Sequence, residues 1–119
     1  MDVRSDMDVT TEVIGAVRIV RLAGKLDTNT SAAFDARIRQ LLDGGDTRLV
    51  LDLAQVTYVS SMGLRSLFLV AQSIKAKGGA LALAAVGPRV LEVLDIVGFT
   101  TMFSIAPTTE EALASIQPA

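Results

Sequence analysis

The sequence predicts an α/β fold, with a mixed β-sheet of four to five strands flanked by about four helices. Two strand-like segments lie on either side of Gly15, which is typical of a β-hairpin. After the hairpin, apolar runs of strand length alternate with segments of helical period. Half of the 119 residues are hydrophobic, so the chain can bury a real core, and we expect a single domain over residues 1–119.

The N-terminal half is expected to hold the hairpin, one helix and a central strand. Residues 10–14 and 16–22 are the predicted hairpin strands. Residues 24–30 are rich in capping residues, and the helix after them ends at a pair of glycines. The apolar face of that helix consists of Phe34, Ile38, Leu41 and Leu42. Residues 49–53 form a nearly continuous apolar run, as expected for a central strand.

A second helix is predicted from Ser60 and Ser61 to about Lys77, with a buried strand at residues 80–86 after it. The apolar stripe of this helix consists of Leu64, Leu67, Phe68, Ala71 and Ile74. Met62, Arg65, Ser66 and Leu69 recur on the face away from the Leu64 stripe. They form either a partner-binding strip or an ordinary half-exposed flank.

The C-terminal part predicts two short helices and a short edge strand. Gly87 and Pro88 begin the first helix, because Pro is tolerated in a first turn. Its apolar face consists of Val90, Leu91, Leu94 and Val97. The edge strand is expected at residues 102–105. Thr108 and Glu111 have the capping-box spacing for a last helix, which carries Ala112, Leu113 and Ile116.

The composition excludes several classes of chemistry. The chain has no Cys and no His, which removes disulfides, thiol chemistry, Ser-His-Asp catalysis and the common zinc sites. The net charge is −2, there is no basic run and no Trp, so nucleic acid is not an expected partner. We therefore expect no metal and no cofactor, although a site built from carboxylates alone stays possible in principle.

Nothing in the sequence predicts a targeting or membrane segment. Residues 1–6 mix charges without an apolar core, unlike a signal peptide. The longest uninterrupted apolar run is residues 80–86, far short of the roughly 20 residues of a membrane span. The expectation is a soluble, cytoplasmic protein without direct membrane insertion.

The most informative stretch is Ser60-Ser61-Met62-Gly63-Leu64, where a strand-like segment passes into a helix. A helix N-terminus has free backbone N–H groups and the positive end of the helix dipole. A serine there can carry a phosphate without breaking the fold. Ser is also a preferred N-cap, so the residues alone leave capping and phosphorylation both open.

Asp27 and the Thr28-Asn29-Thr30 segment lie at another predicted strand-to-helix junction. Such junctions at the carboxyl ends of strands gather at one edge of an α/β sheet. Asp27 is therefore either a helix N-cap or part of a site at that edge.

Asp52, late in the central strand, is placed like the phospho-acceptor of a receiver domain. The further acidic residues that hold a metal ion there are missing, and residues 80–86 contain no lysine. We expect Asp52 to be a partly buried carboxylate bonded to backbone donors. A small enzyme or ligand-binding domain using Asp27 and Asp52 would need a sizeable concave site, which a short, mostly apolar chain disfavours.

Several of these motifs together carry a family resemblance that spans nearly the whole chain. They are Gly24-Lys25-Leu26-Asp27, Val50-Leu51-Asp52-Leu53, Val59-Ser60-Ser61-Met62-Gly63-Leu64, Gly78-Gly79 before a strand, and Gly87-Pro88 with Val97-Gly98-Phe99. In this order they resemble a stand-alone STAS domain of the bacterial anti-sigma factor antagonist type.

The resemblance implies a regulatory binding module with no catalytic activity of its own. Such proteins, when unmodified, bind a serine kinase that doubles as an anti-sigma factor, and so free a sigma factor for transcription. The kinase uses ATP to phosphorylate one serine at this helix start, the complex dissociates, and a phosphoserine phosphatase resets the partner switch. An alternative role within the family is that of a STAS subunit in a phospholipid-transport ABC complex, with an ATPase as partner.

The resemblance also assigns residues. Anchored on Gly63-Leu64, the phosphorylated serine of the family falls on Ser61, with Ser60 as the alternative acceptor. Ser60 stands where an aspartate is common, and Met62 replaces a small hydroxyl residue. The expected partner-binding residues are Asp27, Thr28, Asn29, Ser60, Met62, Gly63, Arg65 and Leu69.

Overall fold

A computed structural model describes residues 7–118, so the N-terminal residues 1–6 discussed above lie outside the described part of the chain. These residues form one five-stranded sheet in the order β1-β2-β3-β4-β5. The strands are β1 Met7–Ile14, β2 Val17–Leu26, β3 Arg48–Val59, β4 Ala80–Ala84 and β5 Ser104–Ala106. The hairpin pair β1–β2 is antiparallel and the other three pairs are parallel, which confirms the expected mixed sheet.

Five helices connect or follow the strands over residues 7–118. They are α1 Ser31–Asp43, α2 Ser61–Ala76, α3 Pro88–Ile96, α4 Phe99–Met102 and α5 Thr109–Ile116. The larger apolar core lies under α1, α2 and α3 and contains Phe34, Leu67 and Leu94. A smaller core lies between α5 and the other face of the sheet and contains Ala112 and Ile116. Both faces of the parallel strands are thus covered, as the continuous apolar run in β3 requires.

The predicted elements are present, and several of their limits needed correction. β3 does not stop at residue 53 but continues to Val59, pairing with β2 beyond the end of β4. The edge strand begins later than predicted, at Ser104, because residues 99–102 form the four-residue helix α4. In α3 only Val90 and Leu94 are buried, whereas Leu91 is exposed, and Val97, also exposed, lies just after the end of the helix.

The buried face of α2 is rotated from the predicted stripe. The buried residues are Gly63, Ser66, Leu67, Val70 and Ile74. Leu64, Phe68 and Ala71 are only partly buried. Ser66 is 2% exposed, so its placement on the exposed strip was wrong. The reason is packing: Gly63 lets the first turn of α2 lie directly against Leu26 at the end of β2.

Candidate functional site at the start of helix α2

Two strand-to-helix turns meet at the carboxyl edge of the sheet. Leu26 and Val59, the last residues of β2 and β3, are partners in the parallel register. The backbone N–H of Ser60 then donates to the carbonyl oxygen of Leu26 over 2.9 Å. A Cβ on Gly63 would overlap the same carbonyl group, so only glycine lets α2 begin this close to β2. The β2–α1 turn and the β3–α2 turn are therefore held side by side, as the sequence predicted.

Ser60 is the N-cap of α2. Its backbone is extended (φ −87°, ψ 177°), and its side-chain oxygen accepts a hydrogen bond from the backbone N–H of Gly63 over 3.2 Å. Its carbonyl oxygen accepts from the N–H of Leu64 over 2.8 Å, the first bond of the helix. The Ser60 hydroxyl is partly buried and already occupied by this cap.

Ser61 is the first residue of α2 and is exposed. Within residues 7–118 its hydroxyl makes no hydrogen bond. The two neighbouring serines therefore differ: Ser60 caps the helix, and Ser61 presents an unengaged hydroxyl at the positive end of the helix dipole.

Asp27 holds the β2–α1 turn through its side chain. Its Oδ1 accepts hydrogen bonds from the backbone N–H groups of Asn29 (2.9 Å) and Thr30 (3.2 Å). The N-cap of α1 is Thr30, not Asp27. Thr28 and Asn29 form the exposed tip of the turn.

Thr30 has a role in this turn that the sequence did not indicate. It is 2% exposed, and its hydroxyl donates to the carbonyl oxygen of Lys25 (2.7 Å) and accepts from the N–H of Asp27 (2.9 Å). Asp27 and Thr30 thus bond each other reciprocally at the two ends of the turn. The Asp-x-x-Thr spacing is the signal that could have indicated this arrangement.

The exposed face of α2 extends the site along the helix. Met62 is 42% and Leu69 39% exposed, and Arg65 lies between them in sequence and is exposed. Residues seven apart in a helix lie on the same side, two turns apart. Within residues 7–118 the Arg65 guanidinium forms no ion pair or hydrogen bond. Gly63, which we expected among the partner contacts, lies inside and packs against β2.

Comparison with known proteins decides the family. The family model for the STAS domain matches residues 8–112. The chain belongs to the STAS domain family. It is 34% identical over 113 residues to a protein described as a candidate anti-sigma factor antagonist, BtrV of Bordetella bronchiseptica, covering 95% of this chain and 97% of BtrV. It is 26% identical over 119 residues to the anti-sigma-F factor antagonist RsfB of Mycobacterium tuberculosis, covering 98% and 95%.

Solved structures agree with this STAS fold. An anti-sigma factor antagonist from Mycobacterium paratuberculosis superposes with a TM-score of 0.85 at 24% identity, covering 94% of this chain and 95% of that one. The Bacillus cell fate determinant SpoIIAA in its phosphorylated form gives a TM-score of 0.72 at 20% identity, covering 92% and 100%. At these identities the likeness concerns the fold alone.

Asp52 of this STAS domain takes no part in the site. Its Oδ1 accepts from the backbone N–H of Ala54 (2.9 Å), and its Oδ2 lies near the Thr109 hydroxyl (3.3 Å) and the Arg21 Nε (3.6 Å). This confirms the expected partly buried carboxylate with a backbone donor. In the sheet Asp52 pairs with Arg21, about 16 Å along β2 from Leu26. Asp27 and Asp52 therefore do not converge on a common site.

Two further properties concern metal binding and membranes. Across residues 7–118 no three acidic side chains are grouped so that they could hold a metal ion. In the same part of the chain, no helix combines the length and apolar character needed to cross a bilayer.

Proposed function

We propose that this STAS protein is an anti-sigma factor antagonist that binds a serine kinase/anti-sigma factor while unphosphorylated and is released when Ser61 is phosphorylated. The observation that carries the proposal is the exposed hydroxyl of Ser61 at the start of α2, free of hydrogen bonds within residues 7–118. The names of the relatives support the class of protein. They favour it over the alternative of a subunit in a phospholipid-transport complex.

The difference between the two serines supports Ser61 as the acceptor. A kinase must reach the hydroxyl oxygen that attacks the phosphate of ATP. The Ser60 oxygen is partly buried and already accepts a hydrogen bond from the Gly63 N–H, so it is less accessible to a kinase than the exposed Ser61 hydroxyl. Modification of Ser61 costs no internal hydrogen bond.

The fold is expected to tolerate a phosphate on Ser61. The group adds roughly 1.5 to 2 negative charges. At a helix N-terminus such charge is stabilising by about 0.3–1 kcal/mol, because it faces the positive end of the dipole. The switch therefore acts at the interface with the kinase and leaves the antagonist folded.

Binding of the kinase, in contrast, is expected to be sensitive to the negative charge of a phosphate on Ser61. A hundredfold loss of affinity corresponds to about 2.7 kcal/mol. A phosphate that is buried against a partner without matching donors costs at least that much, because it loses its hydration without compensation. Release of the kinase follows from local charge and bulk, and a phosphoserine phosphatase restores the binding form.

The proposed interface combines the turn tip and the exposed face of α2. Its members are Asp27, Thr28, Asn29, Ser60, Ser61, Met62, Arg65 and Leu69. Met62 and Leu69 supply apolar area, and the unpaired Arg65 supplies a charge that fits a carboxylate of the kinase. Gly63 acts from inside by placing α2 against Leu26.

The test is incubation of the purified protein with a cognate kinase and ATP, followed by intact mass and site mapping. We expect one phosphate, on Ser61. Ser61→Ala should remain unmodified and keep binding the kinase, whereas Ser60→Ala should still accept phosphate on Ser61. Phosphate on Ser60 in the unaltered protein, or none at all with a kinase that binds it, would refute the assignment.

A further inference from the structure

A cleft lies far from Ser61, along the C-terminal half of α2. It has a volume of about 380 Å³ and is bounded by α2, the start of β4 and α4. Its walls are mostly apolar and consist of Phe68, Ala71, Ile74, Leu81, Met102 and Phe103. The volume falls within the range of about 300–1,000 Å³ that is typical of small-molecule sites.

The cleft is open because small residues line it between large ones. Ala71 has only a methyl group, and Gly79 cannot carry a side chain, since a Cβ there would overlap the carbonyl group of Thr47. Neither residue can fill the space between α2 and β4. The aromatic wall is held in place by ring packing, with centroids 6.5 Å apart for Phe68 and Phe99 and 5.2 Å apart for Phe99 and Phe103.

Lys75 supplies the only charge among the residues that line the cleft. It is exposed, and within residues 7–118 its ammonium group has no ion pair or hydrogen bond. Gln72 is the other polar side chain at the cleft. An apolar cavity with one unpaired cation is complementary to a molecule with an apolar body and one negative end.

We propose that this cleft binds a straight-chain carboxylate, with its hydrocarbon chain against Phe68 and Leu81 and its carboxylate beside Lys75. The driving force is burial of the chain, worth about 0.8 kcal/mol per CH₂ group removed from water. The charge pair contributes selectivity between head groups more than affinity, because it is exposed to solvent.

The proposal is independent of the proposed function. Lys75 lies fourteen residues after Ser61 in the same helix, which corresponds to about 20 Å along its axis. A ligand in the cleft therefore does not cover the Ser61 surface. Ser61→Asp is expected to bind the ligand as the unaltered protein does, whatever its effect on the kinase.

The test is an NMR titration of the ¹⁵N-labelled protein with decanoate, below the concentration at which it forms micelles. Decanol and decylamine provide the same chain with a neutral and a cationic end. We expect saturable changes in the amide chemical shifts around Ala71, Leu81 and Met102. Decanoate should bind more tightly than decanol and decylamine. Lys75→Gln should weaken the affinity for decanoate by up to about fivefold and leave the affinity for decanol unchanged. Lys77→Gln, at the same helix end but outside the cleft lining, is the matched control.

A second variant fills the space directly. Ala71→Met should weaken the binding of all three compounds. Thermal unfolding checks that this variant is folded. The proposal is overturned if no saturable shifts occur, if the three head groups bind equally, or if Lys75→Gln and Lys77→Gln behave alike. A protein dimer in which Met102 is protected, and which decanoate does not dissociate, would also overturn it, because a second copy would then occupy the cleft.

Discussion

Gly63 lies directly against the carbonyl oxygen of Leu26, so the first turn of α2 is packed on the end of β2 with no room for a side chain. This contact joins the two turns that carry the proposed interface. The same oxygen accepts the hydrogen bond from the N–H of Ser60. Close approach of helix and strand thus fixes where Ser61 is presented.

The first prediction concerns this contact. Gly63→Ala must push α2 away from backbone atoms of Leu26 that cannot yield easily, and it should lower the free energy of unfolding by about 1–3 kcal/mol. The measurement is urea denaturation. Gly87→Ala is the control, because a Cβ there meets nothing within 4 Å. Gly87 is the N-cap of α3 and alanine caps a helix less well than glycine, so this variant should lose at most about 1 kcal/mol. Equal effects of the two variants would show that the close approach does not constrain the fold.

The second prediction separates the two serines. Ser60→Ala should lower the free energy of unfolding by about 0.5–2 kcal/mol, because it removes the N-cap of α2. Ser61→Ala should change it by less than about 0.5 kcal/mol. Ser60→Asp should retain most of the stability, since aspartate caps helices as well as serine does. Thermal and urea denaturation measure all three, and a larger loss for Ser61→Ala than for Ser60→Ala would contradict the assigned roles.

The third prediction concerns the β2–α1 turn. Thr30→Val keeps the shape of the side chain but leaves the Asp27 N–H and the Lys25 carbonyl oxygen without their buried partner. Each variant is compared with the unaltered protein by urea denaturation. Thr30→Val should lower the free energy of unfolding by about 1–3 kcal/mol. Thr28→Val, at the exposed tip of the turn, should leave it nearly unchanged. If Thr30→Val left the free energy of unfolding nearly unchanged, the turn would not depend on this hydroxyl.

The fourth prediction concerns kinase binding by α2. Leu69→Ala should weaken the complex by about 1 kcal/mol or more, roughly fivefold, if Leu69 lies in the interface. Leu91→Ala is a matched control, because Leu91 on α3 is 37% exposed and Leu69 is 39% exposed. Isothermal titration calorimetry with the kinase measures both. An unchanged affinity for Leu69→Ala, or an equal loss for Leu91→Ala, would remove Leu69 from the proposed interface.

Much of the fold follows from local sequence signals. Glycine pairs mark the ends of α1 and α2, and Thr108 caps α5 as predicted, with its hydroxyl accepting from the N–H of Glu111 over 3.1 Å. These signals are predictable because they depend on residues a few positions apart. The Ser60 cap was also one of the two readings that the sequence left open.

The features of the fold that the sequence did not predict depend on contacts between segments that are distant in the chain. The rotation of α2 could not be predicted from its apolar stripe, because Gly63 and Ser66 are buried for their small size and not for hydrophobicity. The limits of β3 depend on pairing with β2, which begins thirty-one residues earlier. The cleft beside Lys75 is formed by α2, β4 and α4 together, so no single stretch of sequence indicates it.

The proposed switch is tested most directly by isothermal titration calorimetry, which measures the affinity of the cognate kinase for the protein with and without a phosphate on Ser61. Ser61-phosphorylated protein made by enzymatic phosphorylation and purification is compared with the unmodified form, and circular dichroism checks that both are folded. We predict affinity at least a hundredfold weaker after phosphorylation, about 2.7 kcal/mol, with the fold retained. Equal affinities of the two forms would mean that phosphorylation of Ser61 does not release the kinase.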